Sequence, residues 1–478
     1  MSLISAAYHS LRWYAVDFLS RAADALWNPW LLGLFLLTGL VYSVGSGWFQ
    51  IFGFRTWWQA TAGSLLRRQK GRGGGLSPLQ ALATALASTM GTGSIAGVAA
   101  ALTLGGPGAV FWMWVSALLG MMTSFGEKLL AVQYQRPGPE GGLRGGPMYY
   151  LRDGLGSPVL AACFCLAGIP ATLAGGNLVQ SSSIASSLEA AFGCPRPAVG
   201  LVTALLAGLV MLGGLGRIAA VSSALVPVMA ALYLGSGALV LLFHWSSIPR
   251  ALGLIFSCAL SPAAAAGGGA GWTLAAALRY GVARGVFTNE AGLGTSAMAH
   301  GAARTAPAQQ GMWGIFEVFL STILVCTVTA LAILVSGLPL SPTGLTGAPL
   351  TAAAFGSALG RTGELVTALS LLLFAFSSIL GWSYYGEQCL SFFFLKEKEP
   401  NRILAVFSLL YRAAFLGCTV LGAVWEPGQV WALTDLCNAM MAFPNLTALL
   451  CLAPQAFALL PHQSGGPVRR IPRSKCIK

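Results

Sequence analysis

Two glycine-rich polar stretches interrupt runs that are otherwise apolar enough to cross a membrane. They are "GTGSIAGVAA", from Gly91 to Ala100, and "GVFTNEAGLGTSAMAH", from Gly285 to His300. Glycine weakens a helix, and irregular backbone at membrane depth is tolerated only where it lines a polar cavity. Half-helix N-termini offer N–H donors to a carboxylate, and half-helix C-termini offer carbonyl oxygens to Na⁺ or an ammonium group. The pattern therefore predicts a binding site at the two breaks.

Other hydroxyl and amide side chains within apolar runs extend this candidate site. Ser377 and Ser378 are adjacent in "LLLFAFSSILGW", and their oxygens suit a hard cation. The alternative is that a serine bonds a carbonyl one turn earlier. Gln180 and Ser182 lie in "GNLVQSSS", where hydrogen bonding between helices is the alternative. For the glycines of the first break, the alternative is close helix packing.

The elements that must position these residues are membrane-spanning helices. The chain has 478 residues, of which 56% are hydrophobic and only 9% are charged, whereas a soluble protein carries about 25% charge. Apolar runs of about 20 residues predict helices that cross the bilayer. Spans are predicted at 29–53, 80–104, 108–134, 158–188, 197–214, 219–243, 270–300, 307–337, 361–391, 402–423 and 429–460. Two pieces near 248–260 and 349–359 are too short to cross.

Lysine and arginine concentrate in the short loops on one face of this bundle, such as residues 55–72, and in the tail "RRIPRSKCIK". That face is predicted to be cytoplasmic. We expect a multi-pass protein of the plasma membrane, the cytoplasmic membrane in a bacterium, with its N-terminus outside and its C-terminus inside. The loops account for the net charge of +13, so the expected partners are the lipid bilayer and a small-molecule substrate, without nucleic acid. The ten cysteines form no ligand pattern, so neither a zinc site nor a disulfide framework is expected.

The two broken spans occupy matching places in units of opposite orientation. The span at 80–104 heads outward, the span at 270–300 heads inward, and each is followed by four more spans. This is the inverted-repeat design of many secondary transporters, in which the breaks surround the substrate. The predicted organisation is an outside segment at 1–28, an extra first helix with a basic loop at 29–79, a first inverted repeat at 80–243, an external loop at 244–269, a second inverted repeat at 270–423, a last transmembrane helix at 424–460 and a cytoplasmic tail at 461–478.

Seven stretches, in order along roughly residues 29–460, resemble a single family. They are "ATALASTMGTGSIAGVAAALTLGGPGAVFWMWVSALLGM", "GGPMYYL", "GNLVQSSS", "GVFTNEAGLGTSAMAHGAARTAP", "QGMWGIFEVFLSTILVCTVTAL", "FAFSSILGWSYYGEQ" and "NAMMAFPNLTALL". The family is the alanine/glycine:cation symporters, also called sodium:alanine symporters. The resemblance implies an all-α polytopic membrane protein with about 11 transmembrane helices and a LeuT-like 5+5 inverted repeat with two interrupted helices. It also implies cation-coupled uptake of small neutral amino acids, chiefly alanine and glycine.

The resemblance implies roles for individual residues as well. N–H groups of the first break would hold the substrate carboxylate. The implied substrate-binding residues are Thr92, Gly93, Ser94, Gln180, Ser182, Phe287, Thr288, Asn289 and Trp382. The implied Na⁺ ligands are the hydroxyls of Ser377 and Ser378 with backbone carbonyls near Ala87 and Met90. For Trp382, a place at the lipid interface is the alternative.

Three positions depart from the residues that the family usually has. Ser94 stands in place of the Asn of GTGN, Ser182 stands where Asn is frequent, and Thr288 replaces Ser but keeps the hydroxyl. Two changes from Asn to Ser near one pocket are expected to enlarge it. The shorter Ser94 side chain also alters any contact that the Asn would make with a cation or with the substrate.

Several charged side chains fall inside the predicted spans, where each must pair or reach an interface. They are Glu127, Lys128, Glu317, Glu387, Arg412 and Asp435, for which structural or gating roles are expected. Glu290 adjoins the second break and is read either as a functional acid or as a structural acid bonded to exposed N–H groups. His300 lies at the end of its half-helix, where a surface role is expected.

These observations predict a secondary active transporter, not an enzyme, that moves alanine or glycine into the cell with Na⁺ by alternating access. Proton coupling in the same fold is the main alternative, since Glu290 could carry H⁺ whereas the serine pair favours Na⁺. A membrane-embedded serine hydrolase using Ser94 and His300 would explain neither the spans nor the matched breaks. A channel would need rings of pore-lining groups.

Overall fold

The computed structural model describes residues 19, 21–23, 25–64, 76–138, 142–260, 273–340, 344–394, 402–425 and 427–460. Helices dominate these residues. Strands β1 (Arg136–Pro137) and β2 (Leu143–Arg144) pair antiparallel in one loop. The predicted cytoplasmic tail and most of the predicted outside segment lie beyond the described residues.

Three helices lie within the described residues 29–64, before the first broken helix. They are α1 (Pro29–Gly45), α2 (Phe49–Phe52) and α3 (Phe54–Ala60), followed by a 3₁₀ turn at Ala62–Ser64. The break itself separates α4 (Pro78–Thr89) from α5 (Ala96–Gly105), as the glycine-rich stretch predicts.

The sequence "SPLQ" explains where α4 begins. Ser77 Oγ accepts a hydrogen bond from Gln80 N at 3.2 Å, and Gln80 Oε1 accepts one from Ser77 N at 3.0 Å. Pro78 occupies the first helical position, where a missing N–H removes no helix bond. This capping box satisfies two amides at the helix start and therefore sets the distance from the loop to the break.

The helices that follow complete the first half of the bundle. They are α6 (Gly108–Gln133), the short α7 (Pro147–Tyr149) with a π-helical turn at Tyr150–Gly154, α8 (Pro158–Phe192), α9 (Arg196–Met211) and α10 (Gly214–Phe243). A π-helical stretch at Ala174–Leu178 lies within α8. Such bulges occur often at functional sites.

The second half repeats the pattern. After a 3₁₀ turn at Trp245–Ser247 come α11 (Ile248–Leu260), α12 (Leu274–Asn289), α13 (Thr295–His300), α14 (Pro307–Val335), α15 (Gly347–Leu359), α16 (Arg361–Phe392), α17 (Arg402–Val424) and α18 (Pro427–Ala458). The second break separates α12 from α13. A π-helical stretch at Phe319–Cys326 lies within α14.

Each predicted span corresponds to one helix or to one interrupted pair, except that the span predicted at 29–53 divides into α1 and the short α2. Seven of the described helices are long and apolar enough to cross a membrane, namely α6, α8, α10, α14, α16, α17 and most of α18. The other predicted spans are the shorter α1 and α9 and the pairs α4–α5 and α12–α13. The two pieces predicted to be too short to cross are α11 and α15. Each interrupted pair precedes four of these helices, so α18 belongs to the second set of five.

Two of the outer helices present apolar stripes on the surface of the bundle. Leu201, Leu205 and Leu209 are exposed on α9 at intervals of four residues, and Val406 and Leu410 are exposed in the same way on α17. Residues four apart share one helix face. Large exposed apolar surfaces are rare on water-soluble monomers, whereas lipid tails accommodate them. This surface therefore contacts the bilayer, and the polar residues of the breaks lie in the interior.

Candidate substrate and sodium site

The first break is an ordered turn that neighbouring helices hold in place. Thr92–Ser94 form one 3₁₀ turn between α4 and α5. Thr329 Oγ1 on α14 donates to Ser94 O at 2.8 Å, and Thr351 Oγ1 on α15 donates to Ile95 O at 3.2 Å. These side chains satisfy carbonyls that a continuous helix would have bonded internally. The break is thus part of the packed core.

Gly91 brings the first break into contact with α8 and α16. A Cβ atom on Gly91 would lie 2.5 Å from Ser378 Oγ and 3.0 Å from Gln180 Oε1. Gln180 Oε1 also accepts from Thr92 N at 3.1 Å, while Gln180 Nε2 donates to Gly175 O at 3.0 Å. Only glycine permits this approach of backbone to side chains. The structure therefore brings the predicted Gln180 and Ser378 together at the first break.

Gly93 brings the two breaks into contact with each other. A Cβ atom there would lie 2.8 Å from Thr288 Oγ1 and 2.9 Å from Phe287 Cδ1. Thr288 Oγ1 donates to Arg284 O at 2.8 Å, which orients its hydroxyl along α12. The predicted residues of the second break thus lie directly against those of the first.

The second break is a glycine-rich turn whose first residue has an unusual backbone conformation. Glu290 has φ of 55°, in the left-handed region that few residues other than glycine adopt. Gly292 and Gly294 also have positive φ, at 93° and 78°. Asn289 Oδ1 accepts from Ala291 N at 3.0 Å and so braces this turn.

The serine pair on α16 faces backbone carbonyls at the end of α4. Ser377 Oγ lies 3.0 Å from Ala87 O, and Ser378 Oγ lies 3.1 Å from Ala87 O and 2.8 Å from Ser88 O. Ser377 Oγ also bonds Phe374 O one turn earlier, at 2.9 Å. Ser377 therefore bonds a carbonyl of its own helix, as the alternative predicts, but both serines also contact α4. Hydroxyl and carbonyl oxygens are the donor set that hard cations prefer, so these residues fit Na⁺.

The carbonyl oxygens that contact the serine pair only partly coincide with those predicted as Na⁺ ligands. Ala87 O contacts both serines, whereas Met90 ends α4 through a bond from its N–H to Leu86 O, and a contact between its carbonyl and an ion stays a prediction. Ser88 O was not predicted. Carbonyls in the last turn of a helix lack an intrahelical partner, and that general signal could have identified it.

Two aromatic side chains, Trp382 and Phe287, lie against the π-helical bulge in α8. A Cβ atom on Gly176 would lie 2.4 Å from Trp382 Cβ, and one on Gly175 would lie 3.5 Å from Phe287 Cε2. Trp382 is 2% exposed, so the alternative of a lipid-interface tryptophan is wrong. Phe287 in turn packs edge-on against Trp431, with ring centroids 4.8 Å apart.

Three of the predicted substrate-binding residues have a buried hydroxyl without a hydrogen-bond partner among the described residues. They belong to Thr92, Ser94 and Ser182. The thiol of Cys326, a weak donor, lies beside Ser94. Buried polar groups normally find partners, so the unpaired hydroxyls of Thr92 and Ser94 within the first break suggest a ligand or ordered water.

Other polar residues of α8 join helices instead of lining the site. Asn177 Nδ2 donates to Phe415 O and Ser181 Oγ donates to Thr419 O, both at 2.5 Å and both on α17. For these two residues the alternative of hydrogen bonding between helices is confirmed. Their register places Gln180 and Ser182 on other faces of α8.

The chain matches a known family over nearly its whole length. The sequence pattern of the sodium:alanine symporter family covers residues 13–464. The chain belongs to the sodium:alanine symporter family. The sodium/alanine symporter AgcS of Methanococcus maripaludis is 40% identical over 446 residues, which make up 92% of this chain and 95% of that one. The probable sodium/glutamine symporter GlnT of Bacillus subtilis is 35% identical over 443 residues, which make up 92% and 88% of the two chains.

Membership of the sodium:alanine symporter family makes this protein a multi-pass membrane transporter for Na⁺-coupled symport of amino acids, and not an enzyme. The hydrolase and channel alternatives are therefore wrong. A manganese transporter from Eremococcus coleocola, solved with an aromatic bis-isothiourea substituted compound, matches 80% of this chain and 78% of its own, with a TM-score of 0.50 and 17% identity. That likeness concerns the fold alone and, with the family, confirms the LeuT-like fold.

The charged residues inside this symporter are paired, as expected. Arg412 bonds Glu387 at 2.5 and 3.1 Å, and Arg284 Nη2 lies 2.7 Å from Asp435 Oδ2. The expected surface role of His300 is wrong. Its side chain is fully buried, with Nε2 at 3.2 Å from Glu317 Oε2 and Nδ1 at 2.5 Å from Gln310 Nε2. The end of a short half-helix need not reach the surface when neighbouring helices cover it.

The loop between α6 and α8 of the symporter carries an ion-pair cluster outside the spans. Asp153 Oδ2 lies 3.0 Å from Arg136 Nε, and Asp153 Oδ1 lies 2.9 Å from Arg152 Nε. Partial burial opposes ionisation of Asp153, but the hydrogen bonds and charges of the two arginines outweigh it and lower its pKa. The cluster therefore ties the β1–β2 hairpin to the segment before α8.

Proposed function

We propose that this protein carries alanine or glycine into the cell together with Na⁺, by alternating access. One observation carries the proposal: Ser378 Oγ contacts the carbonyls of Ala87 and Ser88 and also lies against Gly91. The candidate ion site and the candidate substrate site therefore share one broken helix. Occupancy of either site then changes the affinity of the other, which is the reciprocity that coupling requires.

The substrate carboxylate binds backbone N–H groups of the first break, just before α5 begins, and Ser94 N exchanges its bond to Gly91 O, 3.3 Å long, for one to the carboxylate. Helix N-termini favour anions because their first amides lack intrahelical partners. The ammonium group faces the carbonyl ends of α4 and α12. Phe287 and Trp382 border the site from two helices, and the close packing at Gly176 keeps it small. A small neutral side chain suits this space.

Polar side chains complete the substrate site. Gln180 holds the amide of Thr92, and Asn289 braces the turn beside Thr288. A buried hydroxyl without a partner costs about 1–3 kcal/mol, so a substrate that bonds Ser94 or Ser182 gains affinity relative to one that cannot.

Sodium binds between α4 and α16. The hydroxyl protons of Ser377 and Ser378 rotate away from α4, so that the serine oxygens and the carbonyls of Ala87 and Met90 face the ion. Because the ligands come from two helices, the ion holds α4 against α16. This contact stabilises the arrangement of the first break that binds substrate.

The distribution of lysine and arginine among the loops indicates how the chain is oriented across the membrane. The face rich in lysine and arginine is cytoplasmic, the N-terminus is outside and the C-terminus is inside, in a plasma membrane. Two inverted repeats led by the broken helices then rock against each other around the site. The first repeat covers 80–243. The second was predicted at 270–423, but a set of five helices requires that it also include the last helix, at 424–460.

A proton is the second candidate for the coupling ion. Glu290 is 1% exposed and begins the turn of the second break, where Thr295 Oγ1 donates to its carboxyl oxygen. A carboxyl in this position can carry H⁺ between the two sides of the membrane. The oxygen set at the serine pair favours Na⁺ as the main coupling ion.

The test is uptake of labelled alanine and glycine into proteoliposomes, with Na⁺ and H⁺ gradients imposed separately. Glutamine is included because a relative carries that substrate in its name. We expect accumulation of alanine and glycine driven by an inward Na⁺ gradient. Accumulation driven by a pH gradient alone, without Na⁺, would favour the proton alternative, and absence of uptake for alanine and glycine would reject the proposed substrates.

A further inference from the structure

Five ionisable side chains are buried around the second break, and four of them have no part in the site described above. Glu127 and Lys128 come from α6, Glu290 and His300 flank the break, and Glu317 comes from α14. Each is between 0% and 1% exposed. Buried charges in a membrane protein are costly unless paired, so such a cluster needs a reason.

Glu127 binds the turn of the second break directly. Its Oε1 accepts hydrogen bonds from Gly292 N and Gly294 N, both at 2.9 Å. Both glycines have positive φ, which turns their amides to one side and forms a small anion-binding nest. A carboxylate from α6 thus replaces the helix bonds that the break removes.

Asn445 on α18 completes this arrangement. Its Nδ2 donates to Glu127 Oε1 at 2.7 Å and to Gly292 O at 2.9 Å. Tyr150 OH donates to Asn445 Oδ1 and fixes the orientation of the amide. Side chains of α6 and α18 therefore hold the turn together. Glu127 Oε1 accepts three of these hydrogen bonds, two from the turn and one from Asn445.

Lys128 balances the charge of Glu127 and extends the cluster. Its Nζ lies 3.3 Å from Glu127 Oε2 and 3.5 Å from Glu317 Oε2. Glu317 Oε2 in turn lies 3.2 Å from His300 Nε2, at the last residue of α13. The same group of charges thus contacts both the turn that begins α13 and the residue that ends it.

We propose that Glu127 is the positioning residue of the second break, with Lys128 as the cation paired with it. Glu127 touches neither substrate nor ion. It holds the turn that follows Thr288 and thereby sets where Phe287 and Thr288 meet Gly93. The consequence for transport rests on the function proposed above, whereas the consequence for the turn does not.

The first experiment measures amide hydrogen exchange of peptides covering residues 290–300 in nanodiscs. Glu127→Ala removes the acceptor of two amides, so their exchange should be about tenfold faster or more, whereas Glu127→Gln keeps one acceptor oxygen and should show a smaller increase. Glu387→Gln is the matched control, because it breaks another ion pair, with Arg412, away from the turn. Unchanged exchange of the 290–300 peptides in Glu127→Ala would overturn the proposal.

The second experiment separates positioning from stability by transport kinetics. Glu127→Gln and Lys128→Met should each raise the KM for alanine several-fold. The double variant should lie closer to wild type than Lys128→Met, because Glu127 is no longer a buried charge without its counter-cation, while Glu317 keeps His300 as its partner in both variants. A merely structural role would lower Vmax with the amount of folded protein and leave KM unchanged. That result would overturn the positioning role even if exchange becomes faster.

A milder variant covers the case in which Glu127→Ala does not fold. Tyr150→Phe removes only the hydrogen bond to Asn445, and we expect exchange of the turn to increase about threefold. No increase in Tyr150→Phe and none in Glu127→Gln would reject the proposal. Should wild type take up neither alanine nor glycine, the proposed function fails, while the exchange experiment still decides the role of Glu127.

Discussion

Gly93 and Thr288 join the two broken helices, because a Cβ atom on Gly93 would lie only 2.8 Å from Thr288 Oγ1. The two residues are 195 positions apart in the chain, yet backbone of one helix meets a side chain of the other. A residue without a side chain is the only one that fits between them. The proposed substrate site is therefore bordered by a close contact between the two breaks.

Replacement of Gly93 by alanine should separate the breaks and abolish most uptake. The new methyl group would also lie 2.9 Å from Phe287 Cδ1, so it cannot be accommodated by moving Thr288 alone. Gly97→Ala is the matched control, since its Cβ would have its nearest neighbour at 3.9 Å. Uptake of alanine at equal expression measures the effect. Equal activity of the two variants would show that the breaks do not pack this closely during transport.

Replacement of both Ser377 and Ser378 by alanine should raise the Na⁺ concentration needed for half-maximal uptake. Each lost contact to a charged group costs about 1.5–3 kcal/mol, which corresponds to roughly tenfold or more in affinity. Ser383→Ala is the control on the same helix, where the hydroxyl bonds Leu380 O at 2.7 Å. The measurement is Na⁺-dependent uptake in proteoliposomes. An unaltered Na⁺ dependence in a folded double variant would remove the serine pair from the ion site.

Conversion of Ser94 to Asn should shift substrate preference toward glycine and alanine. The hydroxyl of Ser94 is buried and unpaired among the described residues, so a larger side chain would fill volume and take its place. A change of one methylene-sized group in a pocket is worth about 1–3 kcal/mol in discrimination. Uptake of glycine, alanine, serine and threonine is compared in parent and variant. If relative affinities stay the same, position 94 does not face the substrate.

Cysteine labelling tests the orientation. In a cysteine-free background, a cysteine at Ser2 should react with an impermeant thiol reagent in intact cells, and one at Ser474 should not. Both positions lie outside the described residues, so the expectation comes from loop charge alone. The opposite labelling pattern would reverse the assignment of cytoplasmic and external faces.

Replacement of Asp153 by Asn should lower thermal stability at pH 7 but not at low pH. The pKa of Asp153 is lowered in the folded protein, so its stabilising effect is present above the ordinary carboxyl pKa of about 3.9 and is lost as the pH falls through the lower folded value. Because Arg136 and Arg152 are 42% and 34% exposed, the effect should stay below about 1 kcal/mol. Melting temperatures from pH 7 to pH 3 measure it. The control is Glu189→Gln, which breaks the exposed ion pair between Glu189 and Arg196. A difference that grows at low pH would contradict this account.

The positions of helices and breaks follow from local chemistry. Apolar length predicts the spans, "SPLQ" sets the start of α4, and clustered glycines interrupt α4–α5 and α12–α13. These features depend on neighbours within a few residues along the chain, and therefore they can be read without knowledge of the fold.

Contacts between distant residues were decided only by tertiary packing. Ser88 O joins the serine pair, Asn177 turns to α17, and Trp382 and His300 are buried and not at a surface. The two backbone hydrogen bonds that Glu127 accepts at the second break likewise join distant residues, with separations of 165 and 167 positions along the chain. A polar residue in an apolar run must find a partner, but its own sequence neighbourhood does not indicate which helix supplies it. That choice depends on how the helices cross and rotate, because burial and hydrogen bonding are properties of the assembled bundle.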